Sequence, residues 1–354
     1  MTHATLPRHF ASRTAGAFAF QDILYTKAQQ VARITINRPH NFNAYSTAAL
    51  EELARAFQDA SFDDAVGVIV LSGAGDRAFC TGGDVKEYAE MYVATPRDYW
   101  KYMALFRAFI ESILNTGKPV IARLNGMAVG GGNEVQLACD LTVMADHAYI
   151  KQVGTHVGSV ACGGSTQWLP QVVGDKRARE ILFLNEPIPA RKALDWGLVN
   201  WVAPTVKHDG AWVEDPTDAQ TRMAQKGREG WVVDLTRLDE LVDDVARRLL
   251  ASFPECTRYT KQQVNFQKDF VWNATARHAQ DWLALHYTSW EPAEGMQAFV
   301  EKRPPRYAHL RQRAADGRAS ETPWGAWTRT CGSCGATNLP TDHGFCGACG
   351  ASLS

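Results

Sequence analysis

A chain of 354 residues, 45% of them hydrophobic, is long enough to hold one large or two modest domains around a sizeable core. Its formal net charge of −1 gives no global attraction to nucleic acid or to an anionic membrane surface. No apolar run approaches the roughly 20 residues that span a bilayer, so no membrane helix is expected.

The first 20 residues carry Arg8 and Arg13 and no acid, lack the apolar core of a secretory signal, and read as a flexible arm. From there one pattern recurs: a short β-branched run, a glycine-rich turn, then a segment of helical period. VARITIN (31–37) leads through RPHNFNAY to a helix over 46–60, where Ser46 can cap and Leu50, Leu53 and Phe57 share a face. VGVIVLSG (66–73) leads through AGDRAFCTGGD to a helical run beginning near Val85. Residues 97–116 form a helix whose Tyr99, Met103, Phe106, Ile110 and Ile113 make a core stripe. PVIARLNG (119–126) leads through AVGGG to a helix over 133–139, and LTVMAD (141–146) opens the next unit. Such alternation places the chain in the α/β class, built from stacked ββα units.

Beyond about residue 175 the strand signal fades into helices, over 175–184, over 190–196 and across 235–303. Residues 208–232 are polar, contain glycine and proline, and carry Trp212 and Trp231. They read as a surface insertion or as a lid over an active site. A polar, arginine-rich linker over 308–328 leads to a final segment, 329–354.

Eight cysteines suit a disulfide scaffold only in a short secreted chain; here Cys80, Cys139, Cys162 and Cys256 are scattered, which points to a reducing cytoplasm. The other four, Cys331, Cys334, Cys346 and Cys349, form CGSC, eleven residues, then CGAC. Two tight turns at that spacing present four thiolates to one metal, the pattern of a structural zinc ribbon. A closed four-cysteine site leaves zinc no open position, so it folds its segment and does no chemistry.

Two loops, AFCTGGD (78–84) and AVGGGNE (128–134), each end a strand in glycines and start a helix. Helix N-termini offer unpaired N–H groups and partial positive charge, and glycine lets main chain approach a ligand closely. Two such loops converging make an oxyanion hole; either alone reads first as turn glycines at a close strand–helix contact. Glu134 reads as a tunable catalytic carboxylate or as a first-turn acid favoured by the helix dipole.

Between Val31 and Tyr307 the chain resembles the crotonase (enoyl-CoA hydratase/isomerase) superfamily. The resemblance lies in NRP and NA (37–39, 43–44), AFCTGGD, NGMAVGGGNE (125–134), GGSTQ (163–167), ALDWGLV (193–199) and EGMQAFVEKR (294–303). It implies a ββα spiral over 21–307 with C-terminal helices that build a homotrimer or a dimer of trimers, and an acyl-CoA thioester substrate. Matching motifs places the two thioester-oxygen donors on the amides of Gly83 and Gly131, and the first catalytic glutamate on Glu134. Arg38, Gly82, Asp84, Lys86 and Lys302 match substrate- or CoA-binding positions. No catalytic cofactor is expected, CoA being part of the substrate.

The second hydratase glutamate falls on Gly154, followed by Thr155 and His156. A two-carboxylate hydration is therefore not supplied at that loop, and Thr155 and His156 become candidates for orienting water. The loop resembles two ring-handling branches, the 1,4-dihydroxy-2-naphthoyl-CoA synthases and the 6-oxocyclohex-1-ene-1-carbonyl-CoA hydrolases. GGGNE and the DGAW-containing insertion favour the second, which implies hydration and hydrolytic opening of a cyclic enone thioester. Rival readings are a hydratase or isomerase of another acyl-CoA, a ring-closing synthase, or a weakly catalytic adaptor whose ribbon docks a protein partner. Without an aromatic-basic array, nucleic-acid binding is not expected.

Overall fold

The computed structural model describes residues 12–319, 321–326 and 328–353. Residues 12–20, expected within the flexible arm, are tied down: Ser12 Oγ donates to Asp63 Oδ2 (2.8 Å), and the Phe18 and Phe20 rings pack on each other and on Tyr25. Residues 1–11 of that arm lie outside the described residues.

A hairpin opens the fold, β1 (Ile23–Ala28) and β2 (Val31–Ile36), turned by Gln29 and Gln30 at φ of 50° and 63°. Positive φ at both central residues is the geometry that fits a two-residue hairpin to the strand twist. The helix α1 (Thr47–Phe62) follows, capped as expected by Ser46 Oγ, which accepts from the Ala49 amide (3.1 Å), and buries Leu50, Leu53 and Phe57.

Three strand pairs with their helices come next. They are β3 (Val68–Gly73) and β4 (Ala78–Cys80) with α2 (Val85–Glu87), a single π-turn over Tyr88–Tyr92 and α3 (Pro96–Asn115); β5 (Val120–Leu124) and β6 (Met127–Val129) with α4 (Gly131–Ala138); and β7 (Leu141–Ala145) and β8 (Tyr149–Lys151) with α5 (Gly154–Val157). Then follow α6 (Ser165–Val172), α7 (Asp175–Leu184), β9 (Ile188–Pro189), α8 (Ala190–Asp195) and β10 (Trp201–Ala203). The first strand of each pair joins a large sheet, β1-β2-β3-β5-β7-β10, parallel except for the opening hairpin. The second joins a small sheet, β4-β6-β8-β9. One turn of chain thus feeds two sheets, which is a ββα spiral.

The helical continuation expected beyond 175 is interrupted by β10, whose three residues pair in parallel with β7. Residues expected as an insertion fold into a small sheet of their own: β11 (Val206–His208), β12 (Ala211–Trp212), α9 (Asp218–Gln225) and β13 (Trp231–Val233), ordered β12-β11-β13. Runs of two or three residues are too short to display strand period, so pairing rather than pattern makes these strands.

The C-terminal part carries α10 (Thr236–Leu250), the 33-residue α11 (Pro254–His286), α12 (Trp290–Val300) and α13 (Tyr307–Ala315). Helix α11 stacks Trp272 on Trp168 of α6 (centroids 5.3 Å apart). Helix α13 occupies the first part of the expected linker and packs against α12, with the Arg313 guanidinium 4.1 Å from the Trp290 ring centroid. The last segment pairs β14 (Thr328–Arg329) with β15 (Leu339–Pro340). Among the described residues no helix is long and apolar enough to cross a membrane.

Candidate active site

Strand pairing builds the site. β4 lies parallel to β6 (Ala78↔Met127, Cys80↔Ala128), and β6 lies parallel to β8 (Val129↔Lys151). Three neighbouring parallel strands release their loops at one edge, so Gly82 and Gly83, Gly130 and Gly131, and the 152–154 loop line one cavity. Buried asparagines fix the approach: Asn43 Nδ2 donates to the Ala74 and Ala78 carbonyls, and Asn125 Nδ2 to Gly75 and Ala78. Both satisfy turn carbonyls that would otherwise be buried unpaired.

The two glycine loops touch. The Gly131 nitrogen stands 2.8 Å from where a Cβ on Gly82 would be, and a Cβ on Gly131 would come within 3.2 Å of the Gly82 Cα. Gly82 itself takes φ +87°, a conformation that other residues rarely adopt. The bridge between Tyr45 and Gly83 uses the Gly82 carbonyl, accepting from the Tyr45 amide (2.9 Å), and the Asp84 amide, donating to the Tyr45 carbonyl (3.0 Å). The Gly83 N–H therefore has no partner among the described residues. Gly131, first residue of α4, holds one of the orphan amides of a helix start.

Glu134, one turn into α4, reaches the same cavity. Its Oε1 accepts from the amides of Gly163 (2.7 Å) and Ser165 (3.3 Å), while Oε2 accepts nothing from the described residues. Burial raises its pKa to about 7, outweighing the two amides, which lower it. At neutral pH the group can therefore both take and return a proton.

A wall of phenols faces this carboxyl. Tyr45, Tyr88, Tyr99 and Tyr102 line the cavity, Tyr88 and Tyr102 hydroxyls lie 2.6 Å apart, and Tyr99 stacks on Tyr287. Burial raises all four phenol pKa values well above the usual range, which keeps them protonated donors. Cys162 also lines the cavity, and burial pushes its thiol far up, so it is no thiolate nucleophile there. Sequence reasoning missed this wall: Tyr99, Met103 and Phe106 showed only a helical apolar stripe, and Tyr45 was hidden at the edge of the NA motif.

The remaining sequence candidates divide. Gly154 lines the cavity, but Thr155 and His156 do not: both are exposed on α5, Thr155 Oγ1 facing the Leu182 carbonyl and the Asn185 amide, and the His156 carbonyl accepting from Tyr307. A one-turn helix sends successive side chains around its axis, so Gly154 and Val157, three residues apart, line the cavity while Thr155 and His156 turn away. Arg38 is engaged by the Ala44 carbonyl (2.6 Å) and Asp84 (3.2 Å), and Asp84 also caps α2. These residues brace the first loop. Lys86 (side chain 73% exposed, 3.7 Å from Glu90) and Lys302 (φ +55° after α12) are exposed and lie outside the cavity lining. No residue of 208–232 lines it either.

The four ribbon cysteines converge: their sulfur atoms all lie within 4.8 Å of one another. The segments CGSCGA (331–336) and CGACGA (346–351) fold alike, with Cys331 and Cys346 amides donating to Ala336 and Ala351 carbonyls (2.8 Å each), and Gly335 and Gly350 at φ of 74° and 71°. Two matched turns with four sulfurs suit a tetrahedral, thiophilic metal.

The sequence profile of the enoyl-CoA hydratase/isomerase family matches residues 26–233. The chain is similar to the 6-oxocyclohex-1-ene-1-carbonyl-CoA hydrolase of Geobacter metallireducens, 36% identical over 318 residues (83% of this chain, 82% of that one). It is similar also to that of Thauera aromatica, 35% identical over 316 residues (82% of each). Among solved structures it resembles an enoyl-CoA hydratase from Bacillus anthracis (29% identity, TM-score 0.58, 81% of this chain and 99% of that one). It also resembles an enoyl-CoA hydratase/isomerase from Xanthobacter autotrophicus Py2 (26%, 0.64, 85% and 98%).

Proposed function

The chain belongs to the enoyl-CoA hydratase/isomerase family, and from that premise we propose that it hydrates and hydrolytically opens a cyclic enone acyl-CoA, converting 6-oxocyclohex-1-ene-1-carbonyl-CoA to 3-hydroxypimeloyl-CoA. The observation that carries this reading is a cavity with a single carboxyl group, Glu134, and glycine at position 154, alongside two relatives named for that substrate. A linear-enoyl hydratase of the two-carboxylate kind lacks its second group here, since among the described residues no other carboxylate and no imidazole lines the cavity.

In the first stage Glu134 takes a proton from water as the oxygen adds to the ring alkene, and the thioester becomes an enolate. The Gly83 and Gly131 amides receive the charge on its oxygen. Such fixed donors stabilise the transition state more than the ground state, each by about 3 kcal/mol in comparable sites. Glu134 then returns the proton to the α-carbon. In the second stage another water attacks the ring ketone and the bond to the α-carbon breaks, its electron pair passing into the same thioester enolate. One electrostatic device serves both stages.

The cysteine set is assigned a structural zinc, and the exposed Phe266 and Phe270 of α11, one turn apart on the same flank, are assigned to self-association. The functional test is to incubate purified protein with crotonyl-CoA, the cyclic enone CoA ester and o-succinylbenzoyl-CoA and weigh the products. Gain of two waters on the cyclic enone alone is expected. Hydration of crotonyl-CoA at a comparable rate sinks the ring-opening reading.

A further inference from the structure

Each of the two glycines read as a thioester-oxygen donor has a phenol hydroxyl against it. A Cβ built on Gly83 would stand 1.7 Å from the Tyr88 hydroxyl oxygen and 2.8 Å from that of Tyr102; one built on Gly131 would stand 2.0 Å from the Tyr45 hydroxyl oxygen. The hydroxyls thus occupy the side-chain space of both glycines, and this, with the bare amides, makes a patch of donors wider than one oxygen needs. The Tyr45 hydroxyl has no hydrogen-bond partner among the described residues. Tyr88 and Tyr102 share one bond between two O–H groups, so one hydrogen is left over. Two other donors on the wall are spent: Thr81 Oγ1 donates to the Phe42 carbonyl (3.3 Å), and Gln152 Nε2 donates to Ser165 Oγ and the Gly130 carbonyl, while Gln152 Oε1, an acceptor, has no partner among the described residues.

We propose that the Tyr45 and Tyr88 hydroxyls form a second oxyanion subsite beside the glycine amides, so that the cavity is shaped for the enolate of a 1,3-dicarbonyl thioester, with its two neighbouring oxygens, rather than for a simple enoyl thioester. The proposal rests on the reading of Gly83 and Gly131 given above. In the ring-opening stage the ketone oxygen sits among the phenols. Water adds to the ketone carbon, its proton passes to Glu134, and the phenols donate to the alkoxide without losing their protons. The bond to the α-carbon breaks, the electron pair enters the thioester enolate, the α-carbon takes the proton back from Glu134, and the former ketone leaves as a carboxylic acid. The phenols supply the polar donors that Gly154 cannot, and Tyr102 is a positioning residue that holds the Tyr88 hydroxyl by their shared hydrogen bond.

The test compares acetoacetyl-CoA, a 1,3-dicarbonyl thioester, with butyryl-CoA by calorimetry on the full chain, alongside turnover of the cyclic enone. Wild type is expected to bind acetoacetyl-CoA at least about tenfold more tightly, and Tyr88→Phe and Tyr45→Phe to lose most of that ratio, as removal of one hydrogen bond to a charged oxygen requires. Binding of butyryl-CoA reports that each variant is folded. Quenched reactions of Tyr88→Phe are expected to accumulate the ring that has gained one water and stayed closed. Equal affinity for the two thioesters in wild type, or a ratio unmoved in both variants, overturns the proposal. A wild type inert toward the cyclic enone but retaining a phenol-dependent ratio removes the substrate assigned above and upholds the subsite.

Discussion

Glu134 and Gly163 are fitted to one another: the Gly163 amide donates to Oε1 at 2.7 Å, and a Cβ on Gly163 would press within 2.8 Å of Oε2. The main chain thus grips one carboxylate oxygen, and the missing side chain leaves room at the other. With the pKa raised to about 7 and the carboxylate acting as base, kcat/KM is expected to climb through that pH and level off above it. Glu134→Gln should lower turnover by about 10²–10⁴-fold and abolish the ascending limb; an unchanged profile removes the residue from the mechanism.

The same burial has a cost in stability, and its sign is fixed. A carboxyl at about 7 in the native state and 4.5 when unfolded holds more protons folded than unfolded between those values. Its contribution to stability is therefore full below about pH 4.5 and lost as pH rises toward 7. Denaturant titrations should show Glu134→Gln falling less than wild type across this window, by on the order of 2–3 kcal/mol.

Bulk at the second loop should damage chemistry before it damages folding. In Gly131→Ala the new methyl meets the Tyr45 hydroxyl at 2.0 Å, and Tyr45 cannot swing freely because its ring stacks on Phe106 (centroids 5.5 Å apart). A fall in kcat of about 10²-fold, the scale of one lost oxyanion donor, is expected with a substrate-independent melting transition still cooperative. Near-wild-type kcat would separate this amide from catalysis.

His156→Ala and Thr155→Val are expected to turn over close to wild type, because both side chains leave α5 away from the cavity. Steady-state kinetics decide it: a hundredfold loss, about 2.7 kcal/mol, would mean that these groups reach the substrate.

Lys261 of α11 places its ammonium between the Asp140 carboxylate (2.8 Å) and the carbonyls of Ile113 and Lys118. Asp140 also accepts the Val120 amide (2.7 Å), so this one cation ties α11 to the start of β5. Lys261→Met should destabilise the fold by about 3–5 kcal/mol in urea titrations, since a mostly buried carboxylate loses its partner.

Metal analysis should find about one zinc per chain, and a chelator should unfold residues 329–353. Replacing Cys331 and Cys334 with serine is expected to release the metal while leaving kcat intact, because none of the ribbon lines the cavity.

The spans of α1, α3 and α7 were legible to within about two residues because their apolar stripes are local, and Ser46 caps α1 as expected. The convergence of the four cysteines was legible because it is written in spacing along one short segment; Gly131 and Glu134 were singled out only by the family resemblance, since each loop by itself reads as a close strand–helix turn. Tyr88 and Tyr102 were not legible, since a run of aromatics at helical spacing looks the same whether it faces packed core or an open cavity, and Tyr45, in a bridge beside the NA motif, carried no pattern of its own. The outward direction of Thr155 and His156 depends on α7 and Tyr307, residues that lie far along the chain.

Local order, the α/β alternation, the helix starts and the two cysteine turns were thus set by neighbours in the chain, whose backbone preferences act over one or two turns. That Gly83, Gly131, Glu134 and the phenols share one cavity was decided by the parallel pairing of β4 with β6 and β6 with β8, and by the packing of α3 across them. Parallel strands meet only after intervening chain has folded back, so the meeting point of their loops is a property of the assembled sheets.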